Sequence, residues 1–229
     1  MAELKTESIT YPANGVEGMG YLARPDDGAK HPAVIVIQEW WGMDDHIKDV
    51  ARRVAAEGYV ALAPDLYHGE VATEPDEARK LVMSMNREQA MKDLAGALDY
   101  LKAMPQVEPK TVGCMGFCMG GALTFALASA RAEVAAAAPF YGGTPAADQL
   151  AKIQGEVVAS YGADDGGIPM ENIRTMEQAL KGAGKTATVT VYDGAPHSFF
   201  NDTKPSYRPE AAKQAWEQVL ALFDRRLRG

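Results

Sequence analysis

Residues 111–130 read TVGCMGFCMGGALTFALASA, and the way this stretch changes character decides the fold. Thr111–Met115 is apolar and β-branched enough to form a buried strand, whereas Met119–Ala130 is rich in Ala and Leu and reads as a helix. Between them stands Gly116-Phe117-Cys118-Met119-Gly120-Gly121. A strand that passes into a helix within two or three residues must turn sharply, and side chains beside the turn would clash with it; glycines two before and two after the pivot relieve that. The pattern G-x-Nu-x-G is that of a nucleophile elbow, here with Cys in place of Ser. The plain alternative is a Gly-rich turn with an inert thiol. Cys114, four residues earlier and inside the strand, reads as a small buried hydrophobe.

Working outward, the same alternation recurs. His31–Gln38 (HPAVIVIQ) is a continuous apolar run of the kind buried on both faces of a parallel sheet. An amphipathic helix over Asp45–Glu57 follows, closed by Gly58, and then a strand over Tyr59–Ala63 stopped by Pro64. Pro75–Ala103 is helical with a break near Met83–Asn86. Further strands are predicted at Val134–Phe140, Val157–Tyr161 and Ala187–Tyr192, with helices at Pro169–Lys181 and from about Ser206 to Leu227. The first 24 residues form a β-hairpin about Ala13-Asn14-Gly15. The expectation is an α/β fold: a mostly parallel sheet of about eight strands flanked by helices, with an N-terminal hairpin, as a single domain over residues 1–229. In such sheets ligands bind beyond the carboxyl ends of the strands.

Composition narrows the function classes. The chain has 229 residues, 47% hydrophobic and 24% charged, which suits one large core. A net charge of −8 disfavours nucleic acid or an anionic membrane as a partner. MAELKTESIT lacks the apolar stretch of a signal peptide, and no run approaches the ~20 apolar residues of a bilayer span; a cytoplasmic location and a monomeric state are the default expectations. Cys114 and Cys118 are not expected to form a disulfide. No second cysteine pair suggests zinc, and Asp44-Asp45-His46 reads as a helix start, so neither metal nor cofactor is expected.

A thiol near its unperturbed pKa is only a few per cent ionised at neutral pH, so a base is expected near Cys118. Of four histidines, His31 opens a strand, His46 lies in a helix, and His68 follows Pro64-Asp65-Leu66-Tyr67 at a strand end. His197, in Gly194-Ala195-Pro196-His197-Ser198-Phe199-Phe200, occupies the loop after the last strand, where an α/β-hydrolase carries its histidine. The orienting acid is expected after Val157–Tyr161, where Gly162-Ala163-Asp164-Asp165-Gly166-Gly167-Ile168-Pro169 offers Asp165, with Asp164 in reserve. Either also suits a helix cap. The order Cys, Asp, His matches that fold and not the papain arrangement.

These motifs together, QEWWG at 38–42, PDLYHG at 64–69, GFCMGG at 116–121, YGADDGGIP at 161–169 and GAPHSFFND at 194–202, resemble the dienelactone hydrolase family over nearly the whole chain. The resemblance implies a triad of Cys118, Asp165 and His197. It also implies a glutamate, Glu39, that contacts the thiol, and an oxyanion hole from the Trp40 and Met119 N–H groups. A carboxylate beside a thiol keeps the sulfur protonated and less prone to oxidation until substrate displaces it. On its own, Glu39 reads equally well as a solvated loop residue.

Family members grip a substrate carboxylate with two arginines; those positions fall at Lys80, beside Arg79, and at Asn201, which is uncharged. A tyrosine of some members falls near Ser84. Arg208 further along reads as a surface charge. Tyr67, Tyr141, Ser198 and Phe199 lie in site-forming loops and are expected to line the substrate. The expected activity is cleavage of a small, possibly anionic ester or lactone through an acyl-thioester, an enol lactone being favoured by the resemblance. The alternatives are a broad carboxylesterase or thioesterase, and a ligand-binding protein without turnover.

Overall fold

The computed structural model describes residues 3–229. The elements run β1 (Leu4–Ala13), β2 (Val16–Pro25), β3 (His31–Ile37), α1 (Asp45–Ala56), β4 (Val60–Pro64), α2 (Pro75–Ser84), α3 (Arg87–Ala103), β5 (Val107–Phe117), α4 (Met119–Ala130), β6 (Val134–Phe140), α5 (Ala147–Leu150), β7 (Glu156–Gly162), α6 (Met170–Gly182), β8 (Ala187–Tyr192) and α7 (Pro209–Phe223). A single π-type turn, Asp224–Arg228, ends the last helix. The strands belong to an eight-stranded, mostly parallel sheet in the order β1-β2-β4-β3-β5-β6-β7-β8. Contacts group the chain into two compact units, one up to Val112 and one from Gly113.

In the first unit the hairpin pairs Leu4 with Pro25 through Ala13 with Val16. Its two-residue turn has φ of 52° at Asn14 and 95° at Gly15, the left-handed geometry that matches strand twist. Strand β2 runs antiparallel to β4, and β3 runs parallel to β4. Helix α1 starts where the Asp44 side chain accepts the Ile47 N–H at 3.0 Å, and it buries Ile47, Val50, Ala51, Val54 and Ala55. Asp44 is therefore a cap, as its place before an amphipathic helix suggested. The expected break in the following helical region falls at Met85–Asn86. There the Asn86 side chain accepts the Gln89 N–H at 3.1 Å and starts α3 as a separate helix.

In the second unit β6, β7 and β8 are parallel neighbours. Helix α4 is apolar nearly all round and buries Leu123, Phe125, Leu127 and Ala128, as a helix covered on most sides must. An aromatic cluster fills the core: Phe117 lies 4.9 Å from Phe140 and 5.2 Å from Phe200, ring to ring. Three details depart from expectation. Strand β5 begins four residues early because Val107–Lys110, largely exposed, carries no apolar alternation. The four-residue helix α5 is too short to leave a periodic signal. The last helix starts at Pro209, whose ring suits a first-turn position, rather than at Ser206. Among the described residues no helix is long and apolar enough to cross a membrane.

Candidate active site

Cys118 is the N-cap of α4 and sits at φ 55°, ψ −116°, a left-handed conformation costly for any residue with a side chain. Its surroundings hold it there. The Cys118 N–H donates to the Phe140 carbonyl at 3.0 Å, and the Cys118 carbonyl accepts from Gly121 at 3.0 Å and Ala122 at 3.3 Å. The flanking glycines are required by space. A Cβ on Gly116 would run into the Gly120 carbonyl, and one on Gly121 would lie 2.5 Å from the Phe140 oxygen. The elbow read from the sequence is thus present: strand, strained pivot, helix, with the sulfur near the positive end of the α4 dipole.

His197 stands on the loop after β8, near enough to Cys118 for the thiol to act on the charge of its ring. Its Nδ1 donates to Asp165 Oδ2 at 2.6 Å. The other oxygen of Asp165 accepts the Gly167 N–H at 2.8 Å. The Asp165 side chain is fully buried, whereas that of His197 is 38% exposed. Asp164 is exposed, and its backbone N–H donates to Ala195 at 3.0 Å. Of the two adjacent aspartates, the structure brings Asp165 to the histidine.

Electrostatics follow from this geometry. Burial acts to lower the His197 pKa, but the hydrogen bond to Asp165, the nearby Cys118 and the charge facing the ring prevail, and it is raised to about 10. Burial acts to raise the Asp165 pKa, yet the His197 bond and charge and the Gly167 and Ile168 N–H groups hold it below the ordinary carboxylate value. The arrangement favours imidazolium between two acceptors of charge, which is the form that stabilises a thiolate. Cys114 is the contrast. Fully buried, with its sulfur 3.7 Å from the Thr124 hydroxyl, it has its pKa pushed up to about 12.

Other expected residues divide by placement. Tyr141, at φ 37°, is buried with its ring 5.0 Å from that of His197. Ser198, at φ 60°, uses its carbonyl to accept from Asn201 N–H and the Ser206 hydroxyl. Phe199 is fully buried among Phe140, Tyr141 and Tyr192. Asn201 is also fully buried, and its side-chain oxygen accepts from the Thr203 N–H and hydroxyl, a loop-bracing role. Arg208 spends its guanidinium on the carbonyls of Gly194, Pro205 and Tyr207.

In the first unit, Glu39 is buried at the carboxyl end of β3, and the Tyr67 hydroxyl donates to the Trp40 carbonyl at 3.2 Å. Arg79 and Lys80 are exposed on α2, Arg79 facing Asp76 at 3.5 Å. The sequence offered no hint that His68 pairs with Asp93, 25 residues away, since nothing in local spacing signals that contact. Among the described residues no group of three His, Cys, Asp or Glu side chains is placed to hold a metal ion.

Comparison with known proteins agrees with this architecture. A protein of Synechocystis sp., provisionally named a carboxymethylenebutenolidase, is 37% identical over 244 aligned residues, covering 99% of both chains. The crystal structure of a provisionally assigned dienelactone hydrolase from Klebsiella pneumoniae superimposes with a TM-score of 0.89 at 32% identity, covering 96% of this chain and 98% of that one. A metagenomic protein described as a dienelactone hydrolase-like promiscuous phosphotriesterase gives 0.88 at 26% identity, covering 98% and 99%. The family model for the dienelactone hydrolase family matches residues 19–227. With that match spanning nearly all of both units, the chain belongs to the dienelactone hydrolase family and is a hydrolase acting on esters.

Proposed function

We propose that this hydrolase cleaves a small ester or lactone through a Cys118–His197–Asp165 triad and an acyl-thioester. The observation that carries the reading is the strained Cys118 at the start of α4, beside a histidine that Asp165 holds at 2.6 Å. Thiolate Cys118 forms a C–S bond to the carbonyl carbon. The oxyanion takes a main-chain N–H of Met119, at the positive end of α4. As the C–O bond to the leaving group breaks, imidazolium His197 donates its proton to the departing oxygen. Water then attacks the thioester as neutral His197 takes its proton, and the C–S bond breaks to release the acid and return the Cys118 thiolate beside imidazolium His197. By family resemblance Glu39 restrains the resting sulfur and the Trp40 N–H completes the oxyanion hole; Glu39→Gln tests the first of these assignments.

The enol lactone remains the favoured substrate by family resemblance. A second reading, a broad carboxylesterase or thioesterase, draws on one observation: Asn201, at a position where family members place an arginine, is uncharged and wholly buried. A panel decides between them. Enol lactones with a free carboxylate, their methyl esters, thioesters and a phosphotriester are compared for kcat/KM, and electrospray mass spectrometry is used to trap the acyl-enzyme. Preference for the free carboxylate sustains the lactonase reading, and preference for the uncharged esters sustains the esterase. Turnover without any acyl adduct on Cys118 overturns the covalent route.

A further inference from the structure

Strand β8 ends the sheet in the second unit, with β7 on one side and no strand on the other. Its sequence, Ala187-Thr188-Val189-Thr190-Val191-Tyr192, has no charge, proline or glycine. Proteins commonly guard a sheet edge with charges or proline, and β1, the other edge strand, carries Lys5, Glu7 and Pro12. Strand β8 lacks that protection. Its backbone phase is fixed by β7: the carbonyls of Thr186 and Tyr192 accept from the N–H groups of Val157 and Ala163 at 3.0 and 2.9 Å. Alternate residues of a strand turn their N–H and C=O the same way, so Ala187, Val189 and Val191 turn theirs outward. Among the described residues those outward groups make no hydrogen bond. Val189 and Val191 are partly exposed. Lys185 and Asp193 flank the strand, and among the described residues their side chains enter no hydrogen bond or ion pair.

We propose that two copies of this chain pair antiparallel along β8, about a two-fold axis at Val189. The closely spaced pairs of an antiparallel ladder set outward-facing residues opposite one another. This register does so: Val189 meets Val189 of the other copy, Ala187 meets Val191, and Lys185 meets Asp193. Symmetry makes each of the last two contacts twice. Moving the axis to Thr188 or Thr190 keeps the hydrogen-bond phase but sets Lys185 opposite Val191, or Asp193 opposite Ala187, and the charge match is lost. Main-chain bonds supply the attraction and the charged ends select the register. That match of the strand to itself favours a second copy over a foreign extended peptide. The dimer replaces the monomeric state expected from the sequence. No residue of the proposed triad takes part, so this interface and the ester cleavage fail independently.

The test is sedimentation velocity of the full-length chain over roughly 1–300 µM, the range in which a modest interface associates. Each copy carries a net charge of −8, so the runs use about 0.15 M salt, where charges more than about 8 Å apart are screened. The expected result is a reversible, concentration-dependent dimer. Lys185→Asp sets carboxylate against carboxylate at both ends of the ladder, and Asp193→Lys sets ammonium against ammonium. Each is expected to raise the dimer Kd by at least about tenfold, and the double exchange is expected to restore it to within about threefold. Val189→Lys puts two ammonium groups on the axis and is expected to leave only monomer, with the circular dichroism spectrum confirming the fold. The charge exchanges keep the test decisive should that variant fail to fold. A chain that stays monomeric at the highest concentration overturns the proposal. So does a dimer indifferent to both single exchanges, or a double exchange no tighter than the singles.

Discussion

Two histidines of this chain stand on buried aspartates, and the pairs are closely alike as pairs. His197 meets Asp165 at 2.6 Å with the aspartate side chain fully buried and the imidazole 38% exposed; His68 meets Asp93 at 3.0 Å with values of 1% and 39%. Their surroundings differ. The ring of His197 stands near a cysteine held in a strained backbone at a helix start, and its aspartate is braced by backbone N–H groups. The ring of His68 faces a cavity, and its aspartate is shared with a glutamine. A His–Asp pair by itself only orients an imidazole. The difference lies in what stands beyond each ring.

The largest expected effect strikes the thiol beside His197. Cys118→Ala is expected to lower kcat/KM for an activated ester by at least about 10⁴-fold while the circular dichroism spectrum is unchanged; undiminished turnover would reduce the His197 pair to the same status as the other. Next comes the orienting acid. Asp165→Asn should cost about 10²–10⁴-fold in kcat, whereas the exposed Asp164→Asn should change it less than about threefold. A larger loss at 164 would reverse the assignment made from geometry.

Stability tests sharpen the comparison further. Gly121→Ala, whose new Cβ would lie 2.5 Å from the Phe140 oxygen, should destabilise by about 1–3 kcal/mol in urea unfolding. Asp93→Asn puts an amide where two donors converge and should cost a comparable ~1–3 kcal/mol, showing whether the first-unit pair also braces the fold.

The smallest effect is one of pH. The folded-state pKa of His197 is raised from about 6.5 to about 10. The stability it contributes is therefore full below the unfolded value and declines as pH rises through about 10. The gap in urea midpoint between the native chain and His197→Gln should be widest near pH 6 and narrow by pH 10.5. Exposure of the ring to solvent keeps that gap modest, and a gap that widens with pH would contradict the charge arrangement described for the triad.

Much of this was legible along the chain because it is local. Alternating apolar runs and helical periodicities set the order of strands and helices, and Asn14-Gly15 marked the hairpin. The glycines around Cys118 announced a pivot that only a small-residue neighbourhood permits, so Cys118 stood out as the candidate nucleophile from the sequence. The helix break was visible to within the four residues Met83–Asn86, and the structure shows Asn86 to be the cap that starts α3. What remained open was every relation between distant residues. Asp164 and Asp165 are indistinguishable by spacing, and only the folded loop buries one against His197 and leaves the other in water. Phe199 and Asn201 read as site-lining, yet packing gave one to an aromatic core and the other to a turn. The inertness of Cys114 and the pairing of His68 with Asp93 likewise depend on burial and on helix α3 returning to the loop after β4. Local propensity is written in neighbouring residues and can be read there. Desolvation and long-range hydrogen bonds exist only once the chain has closed on itself, and those are the forces that set the partly exposed thiol of Cys118 apart from the buried thiol of Cys114.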